Sequence, residues 1–356
     1  MKRALAYEFK RILLPLCIFT AIATAVFAVA ALTSDYISIR EIAAPGVDGS
    51  YSTVQVPVNT LVHIPVITLC VLCFIVPAMQ FSYRMKRRSV DLWYALPIKR
   101  EKLVLARVLG GLALVFVPYA VSYAAGVTVI ACSENLFKMQ MYVPLFFASL
   151  PMGMLLFGVN SFLFSRANTA GDGIVFMLLG AFALAMPMAF ADACSWTFSG
   201  RNLPDTFATA LHFLSFGPAA EMFMLFGPAI RGVSTNVPGL WLGSVLAAIE
   251  GCAAYFGLFY TARSHRAEDA GQISNSPFGY KVLLPWYLFF GIATASVEGG
   301  IALTAAPIAE YLFMLILAFV GYFVYRRSFR LKLYDIISIG GSFAAGVLLT
   351  LICSLI

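Results

Sequence analysis

Charge is what this sequence has least of: Asp, Glu, Lys and Arg make up 12% of its 356 residues, about half the roughly 25% usual in soluble domains. So few charges do not cover a water-exposed surface, which excludes a soluble globular protein. The chain has no Gly-x-x-x-x-Gly-Lys-Ser/Thr loop to cradle nucleotide phosphates and no His-Glu-x-x-His pair for zinc hydrolysis. Alone it hydrolyses no ATP. Its 3 histidines, His63, His212 and His265, are too dispersed for one metal site. Gly171-Asp172-Gly173 lacks the second intramembrane aspartate that a membrane protease needs. Cys17, Cys70, Cys73, Cys252 and Cys353 fall in apolar runs, where a thiol is a small filler. Cys132 and Cys194, near span ends, leave one pairing open. No internal repeat or low-complexity tract interrupts the chain, so 1–356 reads as a single membrane domain.

What is abundant is apolar: 61% of the residues, arranged in blocks of the roughly 20 residues that a helix needs to cross a hydrocarbon core. Lipid offers no partner to an unpaired backbone group, so the blocks are helices and the fold class is all-α and polytopic. Nine spans are predicted, near Ile12–Leu32, Thr60–Phe81, Leu103–Ala131, Val143–Phe164, Gly173–Ala191, Leu240–Ala262, Leu283–Thr304, Glu310–Tyr325 and Ile336–Ile356. With the N-terminus cytoplasmic, all 24 Lys and Arg fall inside except Arg40, Lys138, Arg201 and Arg231, as the positive-inside bias demands. The C-terminus is then extracytoplasmic. Thr206–Ile230 is apolar enough for a tenth span, but a crossing there would throw Arg263, Arg266, Lys281 and the cluster Arg326–Lys332 outside. It reads instead as a re-entrant or interfacial hairpin on the outer face. The net charge of +7 reflects topology and anionic lipid rather than a nucleic-acid partner.

Two carboxylates stand inside spans, Glu250 near the middle of the sixth and Glu298 well inside the seventh. A carboxylate there is expensive and faces a cavity or a partner. Each is either hydrogen-bonded to a neighbouring helix or part of a substrate path. Methionine pairs such as Met186-Pro187-Met188 read as flexible packing rather than a copper path.

The most informative segment runs from Arg84 to Arg100. Leu92, Tyr94 or Ala95, and Leu96 make an apolar stripe, with Asp91 near the start and Pro97 ending the helix. This predicts a short amphipathic helix on the cytoplasmic surface. Asp91-Leu92, then Leu96-Pro97-Ile98-Lys99-Arg100, followed by Lys102, Leu103, Ala106, Arg107 and Gly110, resembles the permease subunits of type-2 ABC exporters. Leu214 to Pro218, Glu268 to Gly271 and the turn Arg327 to Arg330 are similar to that family as well.

The resemblance implies that 84–100 is a coupling helix, with Asp91, Leu92, Leu96, Pro97, Ile98, Lys99 and Arg100 meeting a separate cytoplasmic ABC ATPase. It also implies outer re-entrant helices where 206–230 stands. ATP and Mg would be bound by that ATPase, with no cofactor in this chain. A second permease, identical or paralogous, would complete the complex in the cell membrane. Residues 1–262 would be the six-helix core, and 263–356 three additional helices whose role the resemblance does not supply. The implied activity is export of an amphipathic or hydrophobic substrate such as a peptide, antibiotic or lipid. An ATP-independent secondary transporter and a non-transporting scaffold or sensor are the alternatives; a secondary transporter would show paired broken helices in two related halves.

Overall fold

A computed structural model of the chain describes residues 2–33, 38–45, 51–58, 63–95, 98–132, 139–200, 240–264, 266–299 and 305–355. In chain order these form α1 (Lys2–Thr33), β1 (Ser38–Pro45), β2 (Tyr51–Val58), α2 (His63–Phe81), α3 (Arg87–Tyr94), α4 (Arg100–Cys132), α5 (Met139–Ser165), α6 (Ala170–Ala183), α7 (Ala185–Ser199), α8 (Leu240–Ser264), α9 (Tyr280–Gly299), α10 (Ala305–Arg326) and α11 (Leu333–Leu355). Among the described residues, 9 helices are long and apolar enough to cross a membrane, α6 and α7 counting as one. The fold is helical as predicted, with one exception. The stretch between the first two predicted spans contains an antiparallel hairpin, registered from Ser38 opposite Val58 to Pro45 opposite Tyr51. Alternation through Val54, Val56 and Val58 is the strand signal.

Inter-helix contacts fix the directions. α1 and α4 run in parallel: Glu8 meets Arg107 near one end, and Phe27 lies on Gly126 towards the other, where a Cβ has no room. α5 and α8 are also parallel, with Leu155 against Gly251 and Tyr255 against Gly158. α8 ends beside the start of α4, where Arg263 pairs with Glu101. One end of the bundle therefore collects the start of α1, the α2–α4 connection, the α5–α6 turn, the 264–280 loop and the α10–α11 turn. Those are the segments to which the sequence assigns its basic residues. The end of α7 and the start of α8 both lie at the opposite end, so the segment between them begins and ends on one side. The re-entrant reading of Thr206–Ile230 itself falls outside the described residues.

Prolines shape the interior. A proline lacks the N–H that would bond the carbonyl four residues earlier, and in hydrocarbon that carbonyl needs another donor. Pro77 frees Cys73 O, which accepts from Asn160 Nδ2 at 3.0 Å. Pro187 frees Ala183 O, which accepts from Trp286 Nε1 at 2.7 Å. The second case divides the predicted fifth span into α6 and α7 at Leu184.

Trp286 belongs to α9, which docks the C-terminal helices on the rest of the bundle. Half of its apolar window is buried, against 17% for α10 and for α11. Tyr287 adds a hydrogen bond to Leu179 O, and Phe190 and Phe290 meet at 6.2 Å. α11 closes on α9 so tightly that a Cβ at Gly346 would sit 2.7 Å from Phe289 O. Cys132 and Cys194 are both free thiols.

Trp286→Phe keeps the ring but leaves Ala183 O without its donor, a loss of about 1–3 kcal/mol for a buried group. Thermal melting in mild detergent should show a lower midpoint for this variant than for Trp196→Phe, at an exposed position. Equal midpoints would show that the indole N–H does not support the break.

Candidate functional site

α3 is built by its flanks. α2 gives way to a 3-10 turn over Ser82–Met85, and Lys86 is extended. Its carbonyl then accepts from Ser89 N and Val90 N, both at 2.9 Å, starting the helix. Ala95 N bonds Asp91 O at the other end, two residues before Pro97, which disfavours helix in the residue preceding it.

Eight residues make two turns, and the two faces differ. Val90 is fully buried and Trp93 and Tyr94 are half-buried, whereas Asp91 is exposed and Leu92 is 68% exposed. Of the two stripes predicted through Leu92, the one with Tyr94 is thus not one face, whereas Ala95 is exposed as Leu92 is. At about 100° per residue, Trp93 and Tyr94 flank Val90 on the inner side, while Leu92 falls about 200° from Val90. Lys99 and Arg100 are exposed at the start of α4, with Ile98 half-buried beside them. Arg100 lies over the Tyr94 ring at 4.3 Å. Leu96 and Pro97 lie outside the described residues.

The inner face of α3 rests on a buried cation. Arg107, one to two turns into α4, has no exposed surface and carries the Trp93 ring at 4.3 Å and the Tyr83 ring at 4.5 Å from its guanidinium carbon. Its Nε lies 3.1 Å from Oε1 of Glu8, which is 1% exposed. This contact is Coulombic, since no nitrogen of Arg107 meets an acceptor at hydrogen-bonding angles. Glu8 also pairs with Arg11 at 3.4 Å, and Arg11 donates to Gln80 Oε1 at 2.7 Å. One ionic cluster therefore joins α1, α2 and α4, and holds α3 through an aromatic ring.

The 264–280 loop lies against α3. Arg87 Nε reaches Ala270 O at 3.4 Å, and Gly271, with φ of +81°, donates to Asn168 O at 2.9 Å. Arg166 Nε donates to Ser276 Oγ at 3.1 Å, while Ser274 Oγ donates to Arg166 O at 2.8 Å. Burial, and Arg84 close by, hold the Arg166 pKa below the ordinary guanidinium range. From the C-terminal helices, Arg327 donates to Gly271 O at 3.1 Å and to Asp172 Oδ2 at 2.9 Å. Asp172 also accepts from Thr169 Oγ1 at 2.6 Å and Tyr280 OH at 3.1 Å. It is a junction between α6, α9 and the α10–α11 turn.

Glu250 is where the sequence put it, midway along α8, with Oε2 buried and without a hydrogen-bond partner. Glu298 lies on α9, one residue before Gly299, the last described residue of that helix. Glu8, Trp93 and Asp172 were not anticipated as site residues. The one available signal was Glu8 itself, a lone acid within a basic N-terminal turn.

Breaking a buried pair by removing one partner costs about 3–5 kcal/mol, because the other charge is left alone. Glu8→Gln and Arg107→Met should each lower the melting midpoint sharply, and the Glu8→Met/Arg107→Met double variant should recover most of the loss. Additive losses in the double variant would show that the two charges are not coupled.

Residues 10–260 match the family model described as ABC-2 family transporter protein. No curated protein and no solved structure matches the chain. The family match covers α1 through nearly all of α8, and α9 to α11 lie beyond it.

Proposed function

Because the chain belongs to the ABC-2 family of transporter proteins, we propose that this membrane permease is the substrate-carrying subunit of an ATP-driven exporter, coupled through α3 to a separate cytoplasmic ABC ATPase. The observation that carries the reading is the division of labour within α3. Val90, Trp93 and Tyr94 fasten the helix to the bundle, while Leu92 is left 68% exposed between Asp91 and the cations of Lys86, Arg88, Lys99 and Arg100. An exposed leucine ringed by charge suits an apolar groove on a partner, with the charges setting orientation. The basic end is cytoplasmic by the positive-inside bias, which puts the N-terminus inside and the C-terminus outside.

Mechanically, α3 acts as a lever. ATP and Mg stay with the ATPase, and closure of two such subunits displaces whatever α3 is bound to. Trp93 stacks on Arg107 and Arg107 pairs with Glu8, so displacement of α3 carries α1 and α4 with it as a rigid-body change of access. A second permease, identical or paralogous, completes the path. The proposed activity is export of an amphipathic or hydrophobic substrate, such as a peptide, antibiotic or lipid, and Glu250, whose Oε2 is buried midway along α8 without a hydrogen-bond partner, is assigned here to the substrate path.

Burying Leu92 contributes about 1.5–3 kcal/mol by transfer from water. Leu92→Asp should therefore release the ATPase on affinity purification while the permease still folds. Charge reversal at Lys99 and Arg100 should weaken the complex in a salt-dependent way, because exposed charges are screened over about 8 Å at physiological ionic strength. A Leu92→Asp protein that retains stoichiometric ATPase and ATP-dependent transport would overturn the coupling role. For Glu250, the Gln variant should assemble normally yet transport at an altered rate or pH dependence. Normal transport by a well-expressed Glu250→Leu protein would remove Glu250 from the path.

A further inference from the structure

At the basic end, where α9 begins, α10 ends and α11 begins, the helices line an open cavity of about 280 Å³. Its walls include Lys281, Tyr325, Arg326, Tyr334 and Asp335. Two of the three charges cancel. Asp335 is fully buried, takes both of its oxygens to Arg326 at 2.8 and 2.6 Å, and accepts from Lys332 N at 3.0 Å. Tyr325 OH is directed to Asn275 at 3.4 Å. Among the described residues this leaves the Lys281 ammonium without an acidic partner and the Tyr334 hydroxyl without an acceptor. The cavity thus carries one uncompensated positive charge and a free O–H.

Next to the lining residues along the chain, Leu333 is 73% exposed, Ile337 61% and Val282 45%, and all belong to the first two turns of membrane-length helices. A cationic pocket at a helix end, with exposed aliphatic residues on the same first turns of α9 and α11, matches a ligand with an acidic head and hydrocarbon tails better than a free ion. We propose that this cavity is a headgroup site for an anionic phospholipid, with Lys281 and Tyr334 holding the phosphate and the acyl chains lying along Val282, Leu333 and Ile337. The site belongs to the C-terminal helices, outside the family match, and does not depend on α3 or on an ATPase.

The test is native mass spectrometry of the delipidated full chain in mild detergent. Phosphatidylglycerol would be titrated against phosphatidylcholine of the same chain length, with soluble glycerol 3-phosphate as a third probe. The wild type should retain one phosphatidylglycerol about tenfold more tightly than phosphatidylcholine, the equivalent of about 1.4 kcal/mol. Lys281→Gln, an exposed position that leaves the fold intact, should abolish that preference, and Lys281→Arg should keep it. Lys10→Gln, at an exposed cation elsewhere on the same face, should leave it unchanged. Equal retention of the two lipids by the wild type would overturn the site, as would equal loss in Lys281→Gln and Lys10→Gln. Binding of glycerol 3-phosphate as tight as that of phosphatidylglycerol would assign the pocket to a soluble anion instead.

Discussion

A guanidinium with no exposed surface must be neutralised by protein, and Arg107 meets that requirement with Glu8 on one side and two aromatic faces on the other. Much of the basic end is arranged around this need. α1 has to run parallel to α4 to bring Glu8 alongside, and the 3-10 turn after α2 has to present Tyr83. α3 has to turn Trp93 inward, which sends Leu92 outward. An interfacial helix held only by lipid would slide. One stacked on a buried ion pair transmits displacement to the helices that own the pair, and on the proposed reading that is its use.

The same scarcity of water governs the interior. Carbonyls freed by Pro77 and Pro187 find donors on other helices, Asn160 and Trp286. The second bond ties a helix outside the family match to one inside it. α9 is thereby part of the bundle's hydrogen bonding rather than an appendage, and α10 and α11 pack around it. Arg327 reaches from their connecting turn to Asp172 and Gly271, and Gly271 adjoins Ala270, the residue that accepts from Arg87 at the start of α3. Contacts of the C-terminal helices therefore extend to the edge of the candidate coupling helix.

Much of this was legible in the sequence, because membrane crossing is a strong local constraint. Block length and basic residues place the nine spans and the ends they share, and Pro97 marks where α3 has to stop. What resisted reading was non-local or too short to average. The inner face of α3 rests on Val90 and Trp93, but so short a helix with several apolar positions admits more than one stripe, and of the two offered for Leu92 the one through Ala95 is exposed while Tyr94 turns inward. The fifth span was predicted straight through Pro187, and the donor that lets the chain break there, Trp286, lies about a hundred residues on. Arg107 looked like one more cytoplasmic cation until Glu8, near the start of the chain, was found beside it. The hairpin from Ser38 to Val58 is hard to read from sequence because its alternation covers only a few residues of each short strand.

The central claim is that α3 presents Leu92 to an ATPase while Val90 faces the bundle. The most direct measurement places a photo-crosslinking amino acid at position 92, and separately at position 90, in the full chain within its own membrane. Crosslinks from 92 to an ATP-binding subunit, and from 90 only within the permease, are the expected result. Crosslinks from 92 confined to lipid or to this chain, with ATPase and permease both present, would contradict the account.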